Sequence, residues 1–149
     1  MEDSTVFQRC DDGGAKNGKY FTRVDSVNQY GEGIFYPLPD SLNYRNLRLV
    51  VSAWVRTSDA AQEKMIGASI NDGQSNAILK WFDCKPANKN IELNTWTFIT
   101  DSFAIDEKLN SVSGILLKVF PYNANGKGKM DVDDLQISLK TVDTLYVNP

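Results

Sequence analysis

The alternation of apolar and polar side chains is clearest in the segment Leu47–Thr57, LRLVVSAWVRT. In an extended chain, successive side chains point to opposite faces. One face then carries Leu47, Leu49, Val51, Ala53 and Val55, and the other carries Arg48, Val50, Ser52, Trp54 and Arg56. The apolar face suits the core of a β-sandwich. The segment therefore predicts a central strand whose second face lines a surface.

Shorter segments of strand character, separated by turn residues, occupy the rest of the chain. They are Thr5–Arg9, Lys19–Val27, Gly33–Pro37, Met65–Ile70, Ala77–Phe82, Thr95–Phe103, Ile115–Phe120 and Lys129–Leu139. Asn71–Asn76 predicts a hairpin turn, Pro121–Lys127 a second turn, and Asp106–Ser113 a loop or a single helical turn. Because no amphipathic helix of more than two turns is evident, the pattern predicts an all-β fold, a sandwich or a barrel.

The composition narrows the classes of function. A chain of 149 residues fits one domain over residues 1–149, with 1–4 and 141–149 as terminal segments. The net charge is −3, and no dense Lys/Arg cluster is present, so we expect no nucleic-acid binding. The apolar runs are too short for membrane insertion. No signal peptide is evident, which leaves a cytoplasmic protein or a domain of a longer exported chain.

The absence of His from the sequence restricts the possible chemistry. It excludes a Ser-His-Asp or Cys-His nucleophile and a His-ligated zinc site. A glycosidase needs two carboxylates across a cleft, and no spacing singles out a pair among candidates such as Asp83, Glu92 and Asp101. We therefore expect no enzymatic activity. The two cysteines, Cys10 and Cys84, allow one disulfide or two free thiols.

The order of the segments NGKYFTRV, GIFYPL, LRLVVSAWVRT, NTWTFITDSFAI, GILLKVF and GKMDVDDLQIS resembles that of known binding modules. It is similar to the jelly-roll carbohydrate-binding modules of families four, nine and twenty-two, within the galactose-binding-like sandwich group. The resemblance covers Gly18 to Leu139, and its most specific parts are Trp96-Thr97 and Val132–Leu135. Where such modules carry Phe-Glu in the first strand, this chain has Phe7-Gln8.

The resemblance implies an antiparallel β-sandwich with jelly-roll topology. It also implies a non-catalytic module that recognises a polysaccharide or oligosaccharide by aromatic stacking and polar contacts. We accordingly expect an extracellular or cell-surface location, as part of a larger multidomain protein.

Aromatic and Arg side chains are the candidates for ligand binding, because a Trp can stack on a sugar face while Arg donates hydrogen bonds to its rim. Trp54, Arg48 and Arg56 share one face of the central strand. The adjacent Trp81 and Phe82 must point to opposite faces, so one of them is a core residue and the other a candidate. Tyr122, near a predicted loop, completes the set. The alternative for Trp54 is packing beneath a loop.

A group of carboxylates near the C-terminus suggests a metal site. Asp131 and Asp133 fall on one face of a strand, where they repel unless a cation, Lys or Arg compensates. We predict that Asp133 and Asp134, with Asp11 and Asp12 of the N-terminal loop, bind a structural Ca²⁺, an ion that takes oxygen ligands. The related modules often hold such an ion through the terminal strand. The alternative is an acidic edge that discourages edge pairing.

The sequence is also compatible with two other classes of function. A surface adhesion or structural domain on the same fold would bind protein or serve as a spacer. A small glycoside hydrolase or polysaccharide lyase would need catalytic carboxylates that the spacing does not reveal.

Overall fold

The computed structural model describes residues 9–10, 14–18, 20–124 and 126–141. Over these ranges the chain forms nine strands: β1 Arg9–Cys10, β2 Phe21–Val24, β3 Ile34–Pro37, β4 Leu47–Thr57, β5 Lys64–Asp72, β6 Ile78–Cys84, β7 Thr97–Ala104, β8 Ile115–Asn123 and β9 Met130–Thr141. Two short 3-10 helices, Pro86–Asn88 and Glu107–Ser111, lie between strands. The described residues contain no helix with the length and apolarity needed to cross a bilayer.

The strands form two antiparallel sheets packed face to face. One sheet has five strands in the order β1-β2-β9-β4-β7, and the other has four in the order β3-β8-β5-β6. The predicted all-β fold, an antiparallel β-sandwich with jelly-roll topology, is confirmed. The central strand β4 has the bounds that the alternation predicts, and it pairs with β7 on one side and β9 on the other.

The core lies between the sheets and is built from alternate residues of the long strands. On β4 each inward residue is buried and each outward one is half-buried. The predicted burial of Leu49, Val51, Ala53 and Val55 on β4 is confirmed, and Ile115, Leu117 and Val119 are the matching buried residues of β8. Ile66, Ala68 and Ile70 of β5 complete the opposite wall. These buried residues show which face of each long strand points to the core and which points to solvent.

Most strand ends differ from the sequence prediction by one to three residues. The strand β9 extends to Thr141, and β8 continues through Pro121 to Asn123, where a turn was expected. Pro lacks an N–H group and is rarely found within a sheet. Here the Pro121 carbonyl accepts a hydrogen bond from the Gly31 N–H at 2.9 Å, in the segment that precedes β3. The missing N–H therefore falls on the β3 side of β8, where β3 has not yet begun, while Pro121 pairs with Ile66 of β5 on the other side. Of the predicted strand Thr5–Arg9, only Arg9 is among the described residues.

The last strand carries a bulge and a buried carboxylate. The register between β4 and β9 shifts between Ser52 and Trp54, and Asp134 adopts a positive φ of 50°. Asp131 is fully buried opposite Arg56. Its Oδ1 accepts from Arg23 Nε at 2.7 Å and its Oδ2 from Arg56 Nε at 3.0 Å. Two guanidinium groups thus compensate the charge of Asp131.

Cys84 is a free, buried thiol at the end of β6. Burial, with Asp101 close by, raises the pKa of this thiol to about 12. The thiol is therefore protonated at neutral pH and acts as a small apolar core residue.

Truncation of Leu117, which is fully buried on β8, tests the packing between the sheets. We expect Leu117→Ala to lower the free energy of unfolding by on the order of 1–4 kcal/mol, because it leaves a cavity in a close-packed core. Urea denaturation followed by circular dichroism measures the loss. The neighbouring Leu116 faces outward, so Leu116→Ala should cost less. Equal losses at the two positions would contradict the assignment of faces.

Candidate functional site

A groove on the outer face of the four-stranded sheet is the most concentrated aromatic surface among the described residues. Its residues come from β5, β6, β8 and two connecting segments. They are Tyr30, Ser69, Asn71, Asn76, Ile78, Trp81, Lys118, Phe120 and Tyr122. The groove encloses about 390 Å³, and a smaller hollow of about 240 Å³ adjoins it between Tyr30, Gly31, Phe35 and Phe120.

The strand alternation explains why these side chains share one face. On β8, Leu117 and Val119 point into the core, so Lys118, Phe120 and Tyr122 point outward. The pairing of the strands places Lys118, Ser69 and Trp81 side by side on β8, β5 and β6. Because Ser69 is small, the outward residues of the two flanking strands rise above β5 and form the walls of the groove.

Gly67 of β5 shapes the position of Trp81. A Cβ atom at Gly67 would lie 2.5 Å from Cη2 and 2.9 Å from Cζ2 of Trp81. The indole ring therefore lies directly over the glycine backbone, in space that any other side chain would fill. About a third of Trp81 remains exposed, 37%. This is a ring held against a sheet with part of its surface free for contact.

Three further rings extend the apolar surface. Trp81 lies 6.0 Å from Phe120 and 6.4 Å from Tyr122, measured between ring centroids. Tyr30 stacks on Tyr122 at 4.9 Å with an interplanar angle of 16°. Burial, together with the neighbouring Tyr30 phenol and its hydrogen bond, raises the pKa of Tyr122. The rings support one another, which limits their motion before any ligand arrives.

A chain of polar groups follows the rings at one end of the groove. Ser69 Oγ donates to Asn71 Oδ1 at 2.7 Å, and Asn71 Nδ2 donates to Asn76 Oδ1 at 3.2 Å. Lys118 Nζ donates to the same Asn76 oxygen at 3.0 Å. The site thus combines apolar rings with a few fixed polar groups at one end, an arrangement typical of small-molecule sites.

The structure places Trp81 and Tyr122, two of the predicted ligand residues, together in this groove. Phe82 lies on the opposite face of β6, where it stacks on Phe103 with the ring centroids 4.9 Å apart and packs against the core. Of the adjacent pair, Trp81 is therefore the outward residue and Phe82 the inward one.

The predicted trio Trp54, Arg48 and Arg56 lies on the outer face of the other sheet and does not form one cluster. Arg48 and Arg56 stand near opposite ends of β4, about 26 Å apart at 3.3 Å per residue. Arg48 Nε donates to Ser102 Oγ at 2.7 Å. Arg56 binds Asp131 and stacks on Trp96, 4.5 Å from the ring centroid.

Trp54 itself is half-buried on this second face. Its ring contacts Phe98 edge-on at 5.5 Å, and Lys16 Nζ lies 4.2 Å from its ring centroid. Lys16 belongs to the segment 14–18, whose Gly14 carbonyl accepts from Trp96 Nε1 at 3.2 Å. The segment thus covers part of this face, as in the alternative interpretation of Trp54 as a residue packed beneath a loop.

The predicted metal residues are partly described. Asp133 Oδ2 accepts from the Asn17 backbone N–H at 2.8 Å, and the Asn17 side-chain amide donates to Asp134. The N-terminal loop and the last strand therefore meet, as the calcium hypothesis requires. Asp11 and Asp12 lie outside the described residues. Among the residues that are described, no group of three His, Cys, Asp or Glu side chains could hold a metal ion.

Sequence reasoning did not assign Phe120 and Lys118 to the site. The signal was the alternation Lys118, Phe120, Tyr122 after the buried Leu117. It was obscured because Pro121 suggested that the strand had already ended, which separated Tyr122 from the residues that precede it.

Neither the protein-family models nor the curated proteins give a match to this chain. Solved structures do match. The CBM22-1 xylan-binding domain of Xyn10C from Paenibacillus barcinonensis has a TM-score of 0.50 at 13% identity, covering 92% of this chain and 82% of that chain. A cyclase from Fischerella sp. TAU has a TM-score of 0.54 at 15% identity, covering 87% and 68%.

A complex of a Fischerella cyclase with 4-(1H-indol-3-yl)butan-2-one matches with a TM-score of 0.53 at 13% identity, over 87% of this chain and 68% of that chain. At identities this low, the similarities show a shared fold and carry no assignment of function. The resemblance to jelly-roll carbohydrate-binding modules is thus confirmed at the level of the fold.

Proposed function

We propose that this protein is a non-catalytic carbohydrate-binding module whose ligand lies in the groove of the four-stranded sheet. The observation that carries the proposal is the ring of Trp81, which lies over Gly67 beside Phe120 and Tyr122. Sugar rings present apolar C–H faces that stack on such a ring. Their hydroxyl groups would exchange hydrogen bonds with Asn76 and Lys118 at one end of the groove and with Ser69 and Asn71 on its floor.

The rigidity of the groove supports binding at low entropic cost. Strand pairing fixes the backbone of the floor and of both walls. The Tyr30–Tyr122 stack and the Ser69–Asn71 hydrogen bond restrict the side chains. A site whose side chains are already ordered loses less conformational freedom when a ligand binds. We therefore infer that the free protein already holds the groove in the shape that the ligand needs.

Binding without hydrolysis fits the residue types of the groove. Among the described residues that line it, none has a carboxylate. Glycoside hydrolysis ordinarily uses two carboxyl groups on either side of the scissile bond. The lining instead offers rings, amides, a hydroxyl and one ammonium group. We propose that such a module forms part of a larger exported protein and brings it to a polysaccharide.

A screen of soluble polysaccharides and oligosaccharides tests the proposed function. We expect at least one glycan to change the intrinsic Trp fluorescence of the intact chain, since Trp81 would contact the ligand. Affinity electrophoresis in gels containing the same polysaccharides gives an independent measure. If a broad panel gives no binding by either method, the adhesion or spacer function replaces the carbohydrate proposal. Release of reducing sugars or of unsaturated products would show an enzyme.

We also propose that Asp133 and Asp134 bind a structural Ca²⁺ together with Asp11 and Asp12. What supports this is the meeting of the N-terminal loop with two adjacent carboxylates. In the described contacts, N–H groups of Asn17 compensate these carboxylates, so an ion would have to displace Asn17. The bound ion would then tie the N-terminal loop to the last strand and leave the groove unchanged.

Calcium is therefore expected to raise the melting temperature of the demetallated protein. Binding only to the folded state contributes about 2.7 kcal/mol at a hundredfold excess over Kd, or roughly 5–10 °C for a domain of this size. Thermal unfolding with and without CaCl₂ measures the effect, and Asp133→Ala should abolish it. An unchanged midpoint in both proteins would leave Asn17 as the group that compensates this acidic edge.

A further inference from the structure

We infer that the groove selects glycans that carry a carboxylate, the uronic acid class, and that Lys118 binds this carboxylate. The inference rests on the proposed carbohydrate function and specifies its ligand. Its basis is the charge of the groove. Lys118 is the one charged side chain among the described residues that line it, and that charge is positive.

The ammonium group of Lys118 has capacity for an anionic partner. Its described polar contact is the neutral Asn76 Oδ1 at 3.0 Å, and its charge lies 5.7 Å from the Phe35 ring centroid. An ammonium group has three donors, of which Asn76 takes one. In the described part of the chain, no carboxylate forms an ion pair with Lys118. A ligand carboxylate would therefore meet a positioned, uncompensated cation.

The pairing of the strands gives a uronate a single orientation in the groove. Lys118 and Trp81 are separated by the one strand that carries Ser69, which puts their Cα atoms about 10 Å apart. A short oligosaccharide can span that distance, with one ring on Trp81 and a carboxylate at Lys118. The carboxylate of Asp83, opposite Gly67, lies further along the same face. The charges thus favour an anion at the Lys118 end.

The net charge of the protein constrains the choice of ligand for the test. At −3 overall, the chain repels a long polyanion at low ionic strength, whatever the groove itself prefers. Short oligomers carry less charge and report the contact with Lys118 more directly. A charge-assisted hydrogen bond between ammonium and carboxylate is stronger than a hydrogen bond to a sugar hydroxyl. We therefore expect the preference to be visible at the level of short oligosaccharides.

The experiment compares ligands that differ only in the carboxylate. Short oligogalacturonides and oligomannuronates are titrated calorimetrically beside the same oligomers with each carboxylate reduced to a primary alcohol. The wild-type protein should bind one of the acidic forms about tenfold more tightly than its reduced form, a difference of about 1.4 kcal/mol. The preference should shrink between about 0.01 and about 1 M salt.

Variants identify the side chain responsible. Lys118→Gln should bind both forms with similar affinity, whereas Lys118→Arg should retain the preference. Lys80→Gln is the matched control. Lys80 is exposed on the same edge strand, but it pairs with the core residue Ile70 and lies over Phe82, on the other face. It should leave the preference unchanged.

The possible outcomes separate this inference from the proposed function. If the acidic and reduced forms bind equally, or if Lys118→Gln keeps the preference, the inference is wrong while carbohydrate binding stands. It is also wrong if only neutral glycans from the broad panel bind at Trp81. If no glycan of either kind binds, the proposed function fails and this inference fails with it.

Discussion

Replacement of Trp81 by Ala is expected to weaken glycan binding at least thirtyfold, by about 2 kcal/mol or more, while the protein stays folded. The ring is 37% exposed in the wall that β6 provides, and it contacts both Phe120 and Tyr122 across the groove. Its removal leaves the core between the sheets intact, so the melting temperature should fall by only a few degrees. Calorimetric titration with the glycan found in the panel measures the loss.

Two further variants sharpen this prediction. Gly67→Ala adds a methyl group 2.5 Å from Trp81 Cη2 and so displaces the ring without removing it. We expect Gly67→Ala to weaken binding in the same direction as Trp81→Ala. Trp54→Ala removes a ring from the other sheet. It should change the Kd by no more than about twofold, far less than the tenfold change that corresponds to 1.4 kcal/mol. Loss of binding in Trp54→Ala, with Trp81→Ala unaffected, would move the site to the five-stranded sheet.

Among the residues of β9 on the outer face of its sheet, Asp131 is expected to be the one whose replacement, Asp131→Asn, destabilises the protein most. Asp131 is fully buried, and it accepts hydrogen bonds from both Arg23 and Arg56. The amide removes the negative charge and leaves two guanidinium groups facing each other. Breaking a buried ion pair from one side costs about 3–5 kcal/mol. For a domain of this size, the melting temperature should fall by roughly 6–20 °C.

The control for Asp131 is an ion pair that remains open to water. Asp101 pairs with Lys89 at 3.1 Å, with about a third of each side chain exposed. We expect Asp101→Asn to cost less than about 1 kcal/mol, as is usual for such pairs. Below its melting temperature, Asp131→Asn should still bind glycan normally, because Asp131 lies in the other sheet. If Asp131→Asn lowers the free energy of unfolding by no more than Asp101→Asn does, the two arginines are not energetically coupled to Asp131.

Most of the fold could be predicted because the sequence marks its core with a strict period of two. Leu47–Thr57 alternates without interruption, and the buried set on β8 follows the same rule. The end of β8 could not be predicted from local rules, because a Pro ordinarily signals a turn. Pro121 is tolerated since the side of β8 that lacks its N–H faces the irregular segment at Gly31, and this long-range contact leaves no mark in the local sequence.

The site was harder to predict than the fold. Trp81 and Tyr122 could be selected as aromatic candidates, but their common location depends on the pairing of β6, β5 and β8. The role of Gly67 is not visible in the sequence either, since a glycine in a strand becomes informative only when its neighbour across the sheet is known. Arg56 was predicted to bind ligand because its real partner could not be foreseen. That partner, Asp131, lies 75 positions further along the chain.

Amide and indole resonances of the labelled protein, recorded during a glycan titration, show directly which of the two sheets binds the ligand. The chain has three Trp residues, and each contributes one indole N–H signal: Trp81 reports the groove, whereas Trp54 and Trp96 report the outer face of the five-stranded sheet. We expect the Trp81 indole and the backbone amides of Gly67 and Ser69 to shift with increasing glycan, while the Trp54 and Trp96 indoles stay in place. A titration that moves the Trp54 indole and leaves Trp81 and Gly67 unchanged would contradict the placement of the site in the groove.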